Sequence, residues 1–344
     1  MDIKRAIDLL AAGDELSQDI ISCILASSDE NLDYLFHTAD EIRQQFCGSK
    51  IHVRGIIEFS SHCRCECLYC GLQAANEKLI RYRMPPDEII SVAQEATTVG
   101  YRTLVLQAGE DLWFDKKILS GIISKLARDK VAITLGVGER RKDEYQAWKE
   151  AGADRYLIKH ETADEKLYNH LHPHSSFARR LECMRQIKEL GYQLGSGFMV
   201  GLPGQTTEIL AKDIMLLKAL DVDMAGIGPF IAHAATQLAG NRSGDLLMTL
   251  KCVAVARIVL KRVHLPATTA LGVSGGEYKR SAFSAGANVV MLKLEPHKYR
   301  TMYDIYPKPL GEIKTIADER RQLEDYIESL GRVVADDNGD AIRL

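Results

Sequence analysis

From residue 51 onward, short runs rich in β-branched side chains alternate with longer amphipathic stretches. The runs span 51–59, 103–107, 132–137, 155–159, 193–200, 224–230, 265–271 and 288–292. Helical periodicity fills the gaps, at 87–99, 115–128, 142–150, 176–190, 208–220 and 246–263. A strand–helix alternation lays successive strands parallel, because each crossover returns the chain to the same end of the sheet. Eight such units over about 250 residues predict a closed (β/α)8 barrel of the TIM type. A doubly wound open sheet has the same periodicity and stays as the structural alternative.

The 344 residues exceed one ordinary domain. Yet no Pro/Gly/Ser-rich linker divides them, so 51–310 is read as one catalytic barrel. An N-terminal helical extension, 1–50, precedes it, with Leu9, Leu10, Leu16, Ile20, Ile21 and Ile24 near helical spacing. A helical cap and tail, 311–344, follows. Within it, Ile316, Leu323, Ile327 and Leu330 share one side of a helix predicted over 313–330, expected to cover the barrel bottom. The polar tail from Asp337 is expected to be mobile.

Hydrophobic residues at 46% and charged residues at 26% exclude a disordered or collagen-like chain. A net charge of −3 gives no global field for nucleic acid or an anionic membrane. No apolar run has the length of a membrane span. The opening MDIKRAIDLLAAGDELS reads as an amphipathic helix, not a signal peptide, and a cytoplasmic location is expected.

Of eight cysteines, four crowd into SSHCRCECLYCGLQ, directly after the first predicted strand. Cys63, Cys67 and Cys70 form Cys-x3-Cys-x2-Cys. Three thiolates on one loop can hold three irons of a 4Fe–4S cluster and leave the fourth open, whereas electron-transfer clusters use four cysteines. The loop falls at the barrel end where active sites lie. Cys65 makes a four-cysteine zinc site conceivable, but such sites usually use two separated pairs. Cys65 is therefore read as a bystander, and Cys23, Cys47, Cys183 and Cys252 as structural thiols.

The triad with Tyr69 resembles the radical S-adenosylmethionine (SAM) superfamily. Within it, the ordered blocks EFSSHCRCECLYCGLQ, RYRMPPDEI, LVLQAGED, AGADRYLIKHETAD, GSGFMVGLPGQT, DMAGIGPFIAH, LPATTALG and SAGANVVM resemble the HydE family of iron–iron hydrogenase maturases. Methylornithine synthase and biotin synthase are more distant kin. The blocks run from about residue 51 to 310. The resemblance implies one 4Fe–4S cluster, SAM as cofactor, and its reductive cleavage to a 5′-deoxyadenosyl radical. In the HydE family that radical is thought to attack the sulfur of an iron–cysteine complex carrying carbon monoxide and cyanide. It also implies a ferredoxin- or flavodoxin-like electron donor, partner maturases and an anaerobic cytoplasm.

Two departures stand out. No cysteine follows Cys252, so the auxiliary cluster of many relatives cannot be built in the same way. In Ile158-Lys159-His160-Glu161, Lys159 replaces the family's arginine, and the two are not interchangeable at a bidentate contact.

The resemblance places Tyr69, Gln107, Lys159, Glu161, Arg180, Gly197, Met199, Gly201, Phe230 and Ile231 around the cofactor. The chemistry agrees. A Glu161 carboxylate can accept two ribose hydroxyls, and an Arg180 fork suits the methionine carboxylate. Glycines let backbone approach a nucleoside, and Phe230 and Ile231 suit either adenine or the core. Arg54 and Arg155 sit in strands meant for a packed core, and an unpaired buried charge is expensive, so inward arginines suggest an anionic ligand. Gln107, Thr134, Thr268 and Thr269 add polar groups to the lumen, and Tyr303 and Tyr306 are expected to close its bottom. Such a lumen suits a small polar or organometallic substrate. A small organic substrate, or a non-catalytic iron–sulfur scaffold, are the competing functions.

Overall fold

The computed structural model describes residues 2–14, 16–273, 276–307 and 312–342. Three helices come first: α1 (Ile3–Ala12), α2 (Gln18–Ala26) and α3 (Leu32–Cys47). Asp2 and Ser17 cap the first two, their side chains accepting from the N–H groups of Lys4 and Ile20. Then the alternation begins: β1 (Lys50–Ser60), α4 (Pro86–Thr98), β2 (Thr103–Ala108), α5 (Lys116–Leu126), β3 (Ala132–Gly136), α6 (Lys142–Glu150) and β4 (Arg155–Leu157). Two helices follow, α7 (Glu165–Leu171) and α8 (Phe177–Glu189), then β5 (Gln193–Val200), α9 (Thr207–Ala219), β6 (Met224–Pro229) and α10 (Leu246–Leu260). The last part holds α11 (Thr269–Val273), α12 (Gly276–Ser284), β7 (Val289–Lys293), α13 (His297–Arg300), α14 (Ile316–Ser329) and β8 (Val333–Val334).

All the pairings in the ladder are parallel, in the order β6-β5-β4-β3-β2-β1-β7. The open flanks meet through residues 264–266, where Met224 bridges His264 and Pro266 bridges Val289. The sheet thus curls into a (β/α)-type barrel. The seventh strand, expected over 265–271, shrinks to this stitch. Pro266 brings no N–H to the ladder, and α11 has begun by Thr269. Helix α7 escaped the sequence reading; it is short and starts where the Asp164 side chain accepts from Leu167 N–H, at 2.8 Å.

α10 is apolar on nearly every side, and the packing shows why. One side lies on β5 and β6 while α1, α2 and α3 cover the other. No helix among the described residues is long and apolar enough to cross a membrane.

The cap differs from its expectation. α14 does not cover the barrel bottom: it packs beside α4 in the outer layer, with Arg320 over the Tyr101 ring at 4.9 Å. β8 and the tail occupy the bottom instead. β8 pairs with the start of β1 at Lys50 and Ile51. The tail, expected to be mobile, is bonded to the amino ends of the strands. Arg155 Nη2 donates to Asn338 O and to Asp340 Oδ1, both at 2.7 Å. Thr103 Oγ1 donates to Asn338 O at 2.7 Å, and Ala341 N to Gln193 Oε1 at 2.9 Å. Gly339 is needed there: its φ is +60°, and a Cβ would lie 2.7 Å from His52 Nδ1.

Candidate active site at the carboxyl ends of the strands

A cavity of about 380 Å³ opens inside the barrel at the carboxyl ends of its strands. The loop after β1 reaches it with Cys67, Tyr69 and Cys70. That loop is held from several sides. Arg81 donates to the carbonyls of Ser61, Leu72 and Gln73. Leu68 N–H bonds Leu171 O at 3.1 Å, and His233 N–H bonds Tyr69 O at 3.0 Å. Cys63 stands beside the cavity wall, its Sγ accepting from Cys65 N at 3.5 Å and Glu110 N at 3.3 Å. A hydrogen bond with the Cys65 side chain, and after it these two backbone bonds, pull its thiol below the usual value against burial.

The Tyr69 hydroxyl lies 2.9 Å from His172 Nε2. His172 Nδ1 lies 2.9 Å from Tyr168 O, which fixes the tautomer: Nδ1 donates and Nε2 accepts. Burial pulls the His172 imidazole down to about 4, so the ring is neutral at pH 7.

Glu161 occupies a left-handed backbone conformation, φ +62°. Its N–H donates to Gly197 O and its carbonyl accepts from Met199 N–H, both at 3.0 Å. This bridge turns its side chain into the cavity. Gly197 permits the close approach, since a Cβ there would lie 2.0 Å from Gly226 O. Glu161 Oε2 is 3.1 Å from Lys159 Nζ, an ion contact that leaves this oxygen without an aligned donor. Burial opposes the charge, but Lys159 and its neighbours outweigh it and hold the carboxyl below its usual range.

Gln107, Lys159, Met199, Ile231, Thr268, Thr269 and Tyr306 also line the cavity. Phe230 and Tyr303 are buried against its wall, and Gln107 Nε2 donates to Tyr303 Oη at 3.4 Å. The two tyrosines were expected at the bottom of the lumen; they close its mouth instead. Their segment lies on the cysteine loop, where Gly71 N–H bonds Ile305 O at 3.0 Å. Gly201 turns the chain after β5, and its N–H donates to Gln205 Oε1 at 2.7 Å. Arg180 is set behind the wall. Its Nε donates to Glu139 Oε1 at 2.8 Å and its Nη1 to Lys159 O. It therefore supports Lys159 from outside the cavity.

Arg54, Thr134 and Arg155 are inward and buried but line a separate small void at the amino ends of the strands. The carboxylate facing Arg155 is the chain's own Asp340. Arg54 Nη2 donates to Gly339 O at 3.4 Å, while Thr134 Oγ1 has no partner.

Sequence reasoning missed Glu58 and Lys293, which form an ion pair inside the cavity, and Glu295, 4.0 Å from Lys293. The available signal was position: IIEFSS and MLKLEP each place a charge at the carboxyl end of a barrel strand.

A parallel barrel with a three-cysteine loop at its carboxyl mouth is the build of a radical SAM enzyme. Residues 57–217 match the model of the Radical SAM superfamily. Over 296 residues the chain is 47% identical to the FeFe hydrogenase maturase subunit HydE of Thermotoga maritima, covering 85% of this chain and 84% of that protein, and it belongs to this family. The crystal structure of methylornithine synthase (PylB) shares the fold, with a TM-score of 0.82 at 23% identity over 96% of this chain and 97% of its own. HydG, a maturase of the FeFe hydrogenase, matches at 0.82 and 16% identity, over 97% of this chain and 76% of its own.

The family implies a 4Fe–4S cluster and SAM, and the residues present fit them. Burial pushes the Cys70 thiol up to about 12 and Cys67 well above its usual value. A metal ion beside them would offset that burial and favour the thiolates. The Glu161 Oε2, in ion contact with Lys159 but without an aligned hydrogen bond, faces the same cavity, where a nucleoside hydroxyl would supply one.

Proposed function

We propose that this chain cleaves SAM reductively in the barrel cavity and directs the product radical at a sulfur-bearing substrate, an iron–cysteine carbonyl cyanide complex, during assembly of the hydrogenase di-iron site. The observation that carries this is the opening of Cys67, Cys70 and the Glu161 carboxylate, whose Oε2 lacks an aligned hydrogen bond, into one cavity. When bound, a reduced 4Fe–4S cluster supplies one electron to the sulfonium, which gives methionine and a 5′-deoxyadenosyl radical. Cys63, Cys67 and Cys70 hold that cluster. Glu161 accepts from the ribose hydroxyls, and Lys159, braced by Arg180 at its carbonyl, sets the carboxylate's charge. Met199 and Ile231 shape an apolar wall for the nucleoside. Tyr306 and the cysteine loop narrow the mouth, which keeps water from the reacting groups. In this reading 51–310 carries the chemistry, a ferredoxin- or flavodoxin-like protein donates the electron, and the other maturases are partners in the cytoplasm.

The test is anaerobic. The reconstituted protein, reduced with dithionite, is expected to convert SAM to 5′-deoxyadenosine or an adenosyl adduct of the substrate. A cluster-loaded protein that leaves SAM intact would make the scaffold reading correct. Turnover of a small organic substrate instead of the iron complex would move the chain to chemistry of the methylornithine synthase kind.

A further inference from the structure

The left-handed backbone of Glu161, φ +62°, is one that a residue with a side chain adopts only when its surroundings impose it. Two turns do so: 158–163, which carries Glu161, and 199–205, which ends β5. Helix α9 supplies a residue that touches both. Its buried Leu210, Ala211, Ile214 and Leu217 are apolar, but Asp213, fully buried among them, is a carboxylate. Its Oδ1 accepts from Ala163 N–H and lies 3.6 Å from His160 Nε2, which has no hydrogen bond of its own. Its Oδ2 accepts from Gln205 Nε2 at 3.2 Å.

The hold extends from these contacts to both peptide groups of Glu161. Gln205 Nε2 also donates to Met199 O at 2.9 Å, and its Oε1 accepts from Gly201 N–H at 2.7 Å and Leu202 N–H at 3.2 Å. Met199 N–H in turn bonds the Glu161 carbonyl. On the other side, Ser196 Oγ accepts from His160 N–H at 3.3 Å and lies 3.1 Å from its Nδ1. Ser196 leads into Gly197, whose carbonyl takes the Glu161 N–H.

Packing alone does not call for a carboxylate at this place. Burial pushes the Asp213 carboxyl above its usual value, so the fold works against its charge. An apolar side chain of similar volume would avoid that penalty. What the carboxylate adds is two oxygens, each taking a donor from a different turn. An amide of the same shape cannot repeat this, because one of its two ends donates. With Asn at this position, either the Ala163 N–H or Gln205 Nε2 would face another donor.

We infer that Asp213 is a positioning residue of the cofactor site: acting through Ala163, His160 and Gln205, it holds the Glu161 carboxylate where the ribose hydroxyls of SAM meet it. The inference rests on the reading of Glu161 as the ribose acceptor. It extends that site to a residue that does not line the cavity.

The experiment is anaerobic equilibrium dialysis of SAM against cluster-loaded, unreduced protein. Asp213→Asn is expected to weaken SAM binding about fivefold or more, the loss of one hydrogen bond to a charged group. In a Glu161→Ala background the same substitution is expected to change affinity by less than about twofold, because the group it positions is gone. A residue that only supports the fold would weaken binding equally in both backgrounds. Gln205→Met cuts the same connection from a half-buried turn and leaves α9 untouched, and it is expected to show the same dependence on Glu161. It decides the matter where Asp213→Asn fails to take up about four irons. Full SAM affinity in a cluster-loaded variant, or equal losses with and without Glu161, would overturn the inference. Weakened binding in Glu161→Ala beside full affinity in Asp213→Asn sinks the positioning role alone. Full affinity in Glu161→Ala sinks the ribose reading, and the positioning role with it.

Discussion

Cys65 sits inside the cysteine triad in sequence and beside Cys63 in space, but it does not line the cavity. It is the buried member of the four, while Cys63, Cys67 and Cys70 are each partly open, and two of these reach the cavity. Cys65→Ala is therefore expected to keep about four irons per chain after anaerobic reconstitution, and Cys67→Ala to lose the cluster. Equal loss of iron in both variants would refute the ligand assignment. Glu161 offers a second test at this scale. Glu161→Ala removes an acceptor held ready for a nucleoside and is expected to weaken SAM binding by about 1–3 kcal/mol, the range for a hydrogen bond to a charged group. Unchanged affinity by equilibrium dialysis would exclude the ribose contact. The triad and Glu161 were legible because they lie within local motifs. Glu58 with Lys293 was not: the pair depends on the register between the first and last barrel strands, which no local pattern carries. Arg180 was legible as a charge near the site, but its true neighbour, Glu139, comes from the loop after β3.

At the scale of elements, the tail does the most unexpected work. Polar and rich in aspartate, it has the composition of a solvated end, and composition is blind to the two arginines waiting at the barrel bottom. Asp340 is 61% exposed, so Asp340→Ala is expected to remove only about 1 kcal/mol in urea unfolding. Ending the chain after Val334 strands Arg155 and Arg54 and is expected to remove about 3–5 kcal/mol. An unchanged unfolding midpoint would mean that the tail does not hold the bottom. The same region sets a response to acid. Burial pulls His52 down to about 4 and His264 well below its usual value, with Arg54 adding to both. Their folded values lie under the unfolded value of about 6.5. The stability they contribute is full above that pH and drains away as pH falls from about 6.5 toward 4. Lower urea midpoints are expected at pH 5.5 than at pH 7. The truncated chain, with both rings in water, is expected to respond less. An equal response in the two chains would place the acid sensitivity elsewhere.

For the whole molecule, strand spacing made the barrel readable, since each βα unit announces itself within about 30 residues. The closing strand was expected over 265–271; only its extent was misread, because a pairing of three residues around a proline is too short to set a period. Iron content is a property of the entire chain: with no thiol after Cys252, excess iron and sulfide are expected to leave the count near four, as one cluster requires. Two further irons bound at a defined site would refute this. The seam has a consequence for motion. β5 and β6 share six paired positions, but residues 264–267 are stitched by two backbone hydrogen bonds on one side, given by Ala225 and His264, and three on the other, given by Ala267, Asn288 and Val289. A hoop breathes first at its weakest join. These five amides are expected to exchange hydrogen for deuterium sooner than those of β2 and β3. Widening there enlarges the bore without breaking a full ladder, so the barrel can yield along this line while the long pairings of β1 with β2 and of β5 with β6 hold.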